Sequence, residues 1–208
     1  MSCVNQKNTE EASTGTVIQT MEILAGQIRE TAEAVSKKSV YDMLAVLLTA
    51  KEKGSAVFVA GAGRSGLMGR AFAMRLMHMG FQTYIVGDTI TPAVQSGDVL
   101  IAISGSGNTK SVVEIAGKCK NIGASVIAVT SKDGSELKAL GAVNVVLPAK
   151  TKDDASAASA ASAASSKTPM GTSFEILALV FLDSVIMQLM ELTGITESEM
   201  KARHANTE

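Results

Sequence analysis

Apolar positions along this chain alternate between two patterns. Short apolar runs are typical of buried strands, and between them apolar residues recur every three or four positions, as on one face of a helix. The runs predict strands at Ala56–Ala60, Thr83–Val86, Val99–Ile103, Val126–Thr130 and Val143–Leu147. The helical patterns cover Leu67–Met79, Lys110–Asn121 and Ser135–Leu140. This alternation predicts an α/β fold, with a doubly wound, parallel, five-stranded sheet flanked by helices.

The two ends of the chain extend this core with further helices. The spacing in Thr16–Lys53 predicts two helices or one kinked helix before the sheet, and Phe174–Leu192 predicts a mostly buried helix after it. We therefore expect a polar N-terminal tail over residues 1–15 and a single domain over residues 16–208. Within that domain, the Ala/Ser-rich residues 151–167 have too little apolar bulk for a core and are predicted to be an insert or linker, although alanine also favours helix.

Composition excludes several classes of function. The 208 residues are 46% hydrophobic without an apolar run long enough for a bilayer, and the N-terminus lacks a secretory signal, so we expect a cytoplasmic protein with no membrane partner. A net charge of −1, 3% aromatic residues and no Trp disfavour nucleic acid as a partner. The two Cys and two His lack metal-binding spacing, so no metal site is expected.

The third predicted strand runs directly into a loop of glycines and hydroxyl side chains, Ser104–Thr109, and a helix begins near Lys110. Glycines allow close backbone approach, hydroxyls donate to phosphate oxygens, and helix N-terminal amides attract anions. This composition predicts a phosphate-binding loop; the alternative is an ordinary turn with a Ser/Thr cap. Because Lys110 follows Thr109 instead of preceding it, the Gly-Lys-Ser/Thr pattern of nucleotide triphosphatases is missing.

A second glycine-rich loop, Gly61–Gly66, follows the first predicted strand. It satisfies Gly-x-Gly-x-x-Gly, and Asp88 lies at a distance suited to a ribose contact, so a dinucleotide site is one interpretation. The chain is short for an added substrate domain, and the loop at Ser104–Thr109 is the richer anion site. A monophosphate held between the two loops is therefore the favoured interpretation.

Six segments of the chain together resemble a known enzyme family. They are Gly61–Gly66, Phe72–His78, Ile90–Ala93, Ile103–Thr109, Pro169–Glu175 and Arg203–Asn206. The two glycine loops resemble the sugar isomerase (SIS) domain, and the whole group resembles the 6-phospho-3-hexuloisomerases over residues 17–208. Met-Gly-Thr-x-Phe-Glu and Arg-His-Ala-Asn are its most specific parts.

The resemblance implies a SIS-type, flavodoxin-like fold and a phosphosugar substrate. It implies an isomerase that interconverts 3-hexulose 6-phosphate and fructose 6-phosphate in the ribulose monophosphate pathway, without a cofactor. Moving a carbonyl between neighbouring carbons requires a base that returns the proton through an enediol, and an acid for the oxygens. The family also favours a homo-oligomer, with a tetramer most typical.

By this resemblance Glu175 is the expected base and His204 the second catalytic residue. The alternative for Glu175 is a first-turn acid that complements the helix dipole, and for His204 an exposed side chain near a frayed end. Arg203 would hold either the C-terminal tail or the phosphate. Because a terminal tail can reach a neighbouring subunit, we predict that active sites are shared between subunits.

Further residues are expected to bind substrate or to support the site. Arg64 faces either phosphate or a subunit interface, and His78 is expected to be structural, near the C-terminus of its helix. The predicted phosphate-binding residues are Ser65, Ser104, Gly105, Ser106, Gly107, Asn108 and Thr109.

Two other functions share this phosphosugar site. One is a SIS-type sensor that binds a phosphosugar without turnover and reports to a partner protein. The other is an isomerase of a different phosphosugar. A sensor needs the hydroxyl loops but neither Glu175 nor His204, and the Arg203–Asn206 tail disfavours a different substrate.

Overall fold

Five parallel strands form the centre of the molecule. The structure is a computed structural model that describes residues 6–149 and 168–207, so the predicted insert at 151–167 lies outside the described residues. The strands are β1 (Val57–Gly61), β2 (Thr83–Ile85), β3 (Val99–Ile103), β4 (Ser125–Thr130) and β5 (Val143–Val146). Their order in the sheet is β2-β1-β3-β4-β5, with every pair parallel. The predicted doubly wound sheet is confirmed.

Alternation along the strands divides the core into two layers. Val57 and Val59 of β1 face one layer and Phe58 and Ala60 face the other, as the two-residue period of a strand requires. The first layer contains α2 (Lys37–Lys53), α3 (Gly63–His78), α6 (Thr172–Thr193) and α7 (Glu197–Ala202); the second contains α4 (Lys110–Ile122) and α5 (Glu136–Leu140). Helices thus cover both faces of the sheet.

The chain termini differ from the sequence prediction in two respects. Helix α1 (Gln6–Ala34) begins within the segment assigned to a polar tail, because several polar residue types there, such as Gln, Lys and Glu, have good helix propensity. In the C-terminal tail, Thr196 and Glu199 form a capping box that begins α7, a helix that the pattern of apolar residues did not reveal.

Helix α6 is the most apolar helix of the described chain. By length and composition alone it could cross a membrane. Its buried face, however, joins the core cluster that covers one side of the sheet, and the helix packs extensively on α3. The apolar composition is therefore that of a core helix.

Candidate active site

The sheet reverses its strand order between β1 and β3. From β1 the chain crosses to β2 on one side, then returns to β3 on the other side and continues outward to β4 and β5. In open α/β sheets such a reversal leaves a crevice at the carboxyl ends of the two central strands. The two glycine-rich loops follow these strands and therefore meet at this crevice.

Close backbone contact shapes the first loop. A Cβ on Gly66 would lie 2.6 Å from the Gly61 carbonyl oxygen, and Gly63 has φ +56°, so both positions favour glycine. This turn starts α3 at Gly63, four residues before the predicted start. Arg64 and Ser65 consequently lie in the first turn of α3, at the edge of the crevice.

The acidic residue of the dinucleotide interpretation has a different partner. Asp88 accepts two hydrogen bonds from the guanidinium of Arg70, at 2.6 and 3.1 Å. This bidentate pair occupies the carboxylate that a ribose would require, which further disfavours a dinucleotide.

Internal hydrogen bonds hold the second loop in shape. The Ser104 hydroxyl lies 2.8 Å from the Thr109 hydroxyl and accepts a hydrogen bond from the Gly107 amide at 3.1 Å. Gly107 has φ +66°, and a Cβ there would lie 2.2 Å from the Ser135 hydroxyl. Ser104 and Gly107 therefore hold the conformation of the second loop through contacts within the loop and with Ser135.

Asn108 connects this loop to the next helix. Its side-chain oxygen Oδ1 accepts a hydrogen bond from the Glu136 backbone amide at 3.0 Å. The backbone amide of Asn108 donates to the Ser106 hydroxyl at 3.3 Å. Asn108 thus anchors the loop to the start of α5.

A cavity of about 290 Å³ lies between the two loops and the start of α6. Six of the predicted site residues line it together: Arg64, Ser65, Gly105, Ser106, Thr109 and Glu175. Ser104, Gly107 and Asn108 do not line the cavity; their contacts support the loop that does. The structure therefore divides the predicted phosphate loop into residues that face the cavity and residues that shape it.

The carboxylate of Glu175 lines this cavity and is held there by Arg64. Its Oε2 accepts a hydrogen bond from Nε of Arg64. A Cβ on Gly171, which has φ +84°, would lie 3.0 Å from Oε1, so the glycine leaves room for the other oxygen. The Glu175 side chain is only 11% exposed, whereas that of Arg64 is 58% exposed. Arg64 thus contacts the carboxylate from the solvent side, a partner that the sequence did not identify.

Helix caps distinguish the cavity from the rest of the described chain. The helices α2, α5 and α7 begin with side-chain caps from Ser36, Ser135 and Thr196. The three helices that begin at the cavity have no side-chain cap at their N-cap residues, Ala62 for α3, Thr109 for α4 and Gly171 for α6. Uncapped amides with the positive end of a helix dipole favour an anion.

Several residues complete the cavity without having been predicted as site residues. Met170, Gly171 and Phe174 also line it. A Cβ on Gly105 would lie 2.9 Å from the Phe174 ring. The only signal in the sequence was their position in the Met-Gly-Thr-x-Phe-Glu block. Apolar wall residues carry no distinctive chemistry, so spacing alone does not identify them.

His204 lies in a different place from Glu175. Its ring is 5.1 Å from the ring of His78, and both line a second cavity, of about 600 Å³, between α3, α6 and α7. His78 ends α3, whereas Arg64 lies in its first turn, which separates them by about 21 Å along the helix. Within one chain, the structure does not bring Glu175 and His204 together.

The C-terminal tail is attached to the end of α3 by Arg203. Its Nη1 donates to the His78 carbonyl at 3.1 Å and to the Glu199 carbonyl at 3.3 Å. Arg203 therefore holds the tail, one of the two roles considered for it. Burial, followed by the positive fields of His204 and Arg75, lowers the pKa of His78, which is 3% exposed. The neutral imidazole is consistent with the structural role predicted for His78.

The described residues contain no group of three or more His, Cys, Asp or Glu side chains that could hold a metal ion.

Comparison with known proteins places the chain in a family. Residues 50–180 match the SIS domain. The chain belongs to the SIS domain family. The chain is similar to the 3-hexulose-6-phosphate isomerase of Methanocaldococcus jannaschii, which is 43% identical over 154 residues, covering 74% of this chain and 78% of that protein. The 3-hexulose-6-phosphate isomerase of Methylomonas aminofaciens is 38% identical over 185 residues, covering 89% and 94%.

A solved SIS structure agrees with this assignment. The crystal structure of a Methanococcus jannaschii protein, for which a 3-hexulose-6-phosphate isomerase function was inferred, has 35% identity and a TM-score of 0.76. The match covers 90% of this chain and 98% of that one. The predicted 6-phospho-3-hexuloisomerase family and SIS-type fold are confirmed, and the chain is an isomerase of that family.

Proposed function

We propose that this SIS-domain isomerase interconverts 3-hexulose 6-phosphate and fructose 6-phosphate with Glu175 as the base. The observation that carries the proposal is a nearly buried carboxylate that lines a cavity where three uncapped helices begin. The cavity supplies anion-binding groups and a proton acceptor side by side, which this chemistry requires.

Glu175 would carry one proton between two carbons. It takes the proton from C3 of fructose 6-phosphate, the C2 carbonyl becomes a hydroxyl, and a 2,3-enediol forms. Glu175 then returns the proton to C2 while the oxygen on C3 loses its proton and becomes the new carbonyl. Atoms and charges balance without an added oxidant, and the two oxygens need an acid to exchange their protons.

The substrate phosphate would bind at the two loops. Ser65, in the first turn of α3, lines one side of the cavity, and Ser106 and Thr109 line it from the second loop. Their hydroxyls and the uncapped amides of α3 and α4 are hydrogen-bond donors suited to a phosphate dianion.

His204 would act as the acid in a neighbouring subunit. It lines a different cavity from Glu175 in its own chain, at the opposite end of α3. The side of α3 between these ends exposes the apolar side chains of Leu67, Met74 and Met77, and Met187 of α6 is exposed beside His204. Exposed apolar surface of this kind favours association. A homo-oligomer that buries it, with a tetramer expected for this family, would place His204 beside the partner's cavity.

The test is proton exchange in deuterated water. Fructose 6-phosphate is incubated with the protein, and NMR follows deuterium at C3 and formation of the 3-hexulose product. We expect both for the unchanged protein, and a loss of about 10²- to 10⁴-fold in Glu175→Gln, the range for a missing acid–base group. Glu191→Gln, on the exposed side of α6, is the matched control and should retain the rate.

A different result would redirect the assignment. If the phosphosugar binds to the unchanged protein without exchange or product, the isomerase proposal fails for this substrate. The sensor or the isomerase of another phosphosugar would then be the better interpretation.

A further inference from the structure

Among the described residues that line the cavity, Arg64 and Glu175 are the only ones with charged side chains. The pair is asymmetric. Glu175 is nearly buried and fixed between Gly171 and Arg64, while more than half of the Arg64 side chain is exposed. Arg64 uses Nε for this contact and makes no other hydrogen bond within the described residues. It is therefore the more exposed member of the pair, with N–H groups left for a second anion.

This pairing restricts the chemistry proposed for Glu175. A base needs a lone pair directed at the carbon that loses its proton, and here Arg64 occupies Oε2, so that only Oε1 is left without a cation. An ion pair with one well-exposed partner is weak because water screens it. A phosphate dianion entering the same cavity brings two negative charges and accepts two parallel hydrogen bonds from a guanidinium, which a pair through Nε alone does not provide.

We propose that Arg64 is a positioning residue that exchanges Glu175 for the phosphate of the substrate, so that phosphate binding frees the base. This inference rests on the proposed function and adds a condition to it: Glu175 becomes active only when a phosphate occupies the cavity. If hydroxyl side chains alone bound the phosphate, its binding would not release Glu175 from Arg64. Arg64 links the phosphate-binding hydroxyls to the base because it contacts the Glu175 carboxylate and lines the same cavity as those hydroxyls.

The mechanism predicts that a phosphate-like ion activates the enzyme toward a sugar without phosphate. Fructose alone leaves Arg64 on Glu175, so proton exchange at C3 in deuterated water should be slow. Added phosphite dianion, which is small enough to share the cavity with fructose, should draw Arg64 away and accelerate exchange by about 10-fold or more.

Variants at position 64 separate positioning from structural support. In Arg64→Ala, fructose alone should exchange at least as fast as with the unchanged protein, and phosphite should no longer accelerate it. Arg64→Lys keeps a charge but lacks the planar fork, so it should retain only part of the activation. Arg70→Ala removes another cation from the exposed side of α3, where it pairs with Asp88, and should keep the full response to phosphite. Thermal unfolding of each variant verifies that it is folded.

Three outcomes are distinguishable. Loss of phosphite activation in Arg64→Ala but not in Arg70→Ala supports the inference. Equal activation in Arg64→Ala and the unchanged protein, or no activation of the unchanged protein while fructose 6-phosphate still exchanges, overturns it and leaves the proposed function intact. Absence of exchange with fructose 6-phosphate itself overturns the proposed function.

Discussion

The two ends of helix α3 are built in different ways. Its first turn lies at the ends of β1 and β3, where short loops, close glycine contacts and internal hydrogen bonds form the cavity of Glu175. Its last turn meets the C-terminal tail, which is attached through the Arg203 guanidinium and the pair of imidazole rings. One end is fixed by neighbouring strands, and the other depends on a segment that returns from the end of the chain.

Two predicted site residues therefore lie far apart within one chain. The cavity at the first end contains the Glu175 carboxylate and the loop hydroxyls, whereas the His204 imidazole lies at the other end, about 21 Å away along α3. A rigid helix cannot bring its two ends together. If both residues serve one reaction, a second copy of the chain must supply the missing one.

Mixing two inactive variants is the strongest test of this comparison. In a shared site, Glu175→Gln and His204→Gln lose activity separately, by about 10²-fold or more for an acid–base group. After subunit exchange, a hybrid site can take Glu175 from one variant and His204 from the other, so activity should return to about a quarter of the unchanged protein for random pairing around a symmetric interface. Isomerase assays before and after subunit exchange measure this recovery of activity. No recovery would mean that each chain works alone.

The rigidity of the first end is tested by a methyl group on Gly107. A Cβ there would meet Ser135 and Thr130, and φ is +66°, so Gly107→Ala should destabilise the protein by about 2 kcal/mol or more. Gly117→Ala on α4 is the control, because nothing lies within 4 Å of its Cβ, and it should leave stability unchanged or raise it by up to about 1 kcal/mol. Urea unfolding measures both. Similar values for the two variants would contradict a tightly packed loop.

Substitutions of the loop serines distinguish residues that line the cavity from residues that hold the loop in shape. Ser106 lines the cavity, so Ser106→Ala should weaken phosphosugar binding by about 10-fold, the value of one hydrogen bond to a charged group. Ser104→Ala should also weaken binding, but with a loss of stability, because Ser104 holds Gly107 and Thr109. Calorimetric titration and thermal unfolding separate the two effects. Ser184→Ala, on the exposed side of α6, should change neither, and retained affinity in both loop variants would remove the phosphate assignment.

The smallest expected effect concerns the other end of α3. The pKa of His78 in the folded protein is lowered, chiefly by burial, below its ordinary value of 6.5, so the unfolded chain binds this proton more readily. The stabilising contribution of the neutral ring is present above pH 6.5 and is lost as the pH falls toward the lowered pKa. The slope contributed by His78 is at most about 1.4 kcal/mol per pH unit.

Unfolding by urea between pH 7.5 and 5.5 measures that slope. His78→Gln should flatten it, while His204→Gln should retain most of it, because burial outweighs the field of His204. An unchanged slope in His78→Gln would show that other groups dominate at this end of the helix.

Much of the fold was predictable because its elements are encoded locally. The predicted bounds of each strand agree with the structure to within one residue at each end. A short apolar run between turn residues is most simply a buried strand. Exposed or polar helices were harder. The early part of α1 is polar in sequence and the short α7 buries only Met200, so no apolar period marks either helix.

The site was predictable in its chemistry and less so in its geometry. Glycines and hydroxyls at strand ends indicated an anion site, and Arg64, Ser65, Ser106, Thr109 and Glu175 do line one cavity. The sequence could not separate Ser104 and Asn108, which shape the loop, from the hydroxyls that face the cavity. Loop residues of the same type differ only in which hydrogen bonds the folded backbone leaves for them.

Residue types at short spacings were enough to predict the strand and helix pattern, the two loops as a candidate anion site, and the family. The contacts of Arg64 with Glu175, of the Arg203 side chain with the end of α3, and of His204 with His78 depend on the packing of the folded chain. Each of these contacts joins residues more than a hundred positions apart, and such pairs are set by how the helices pack on the sheet.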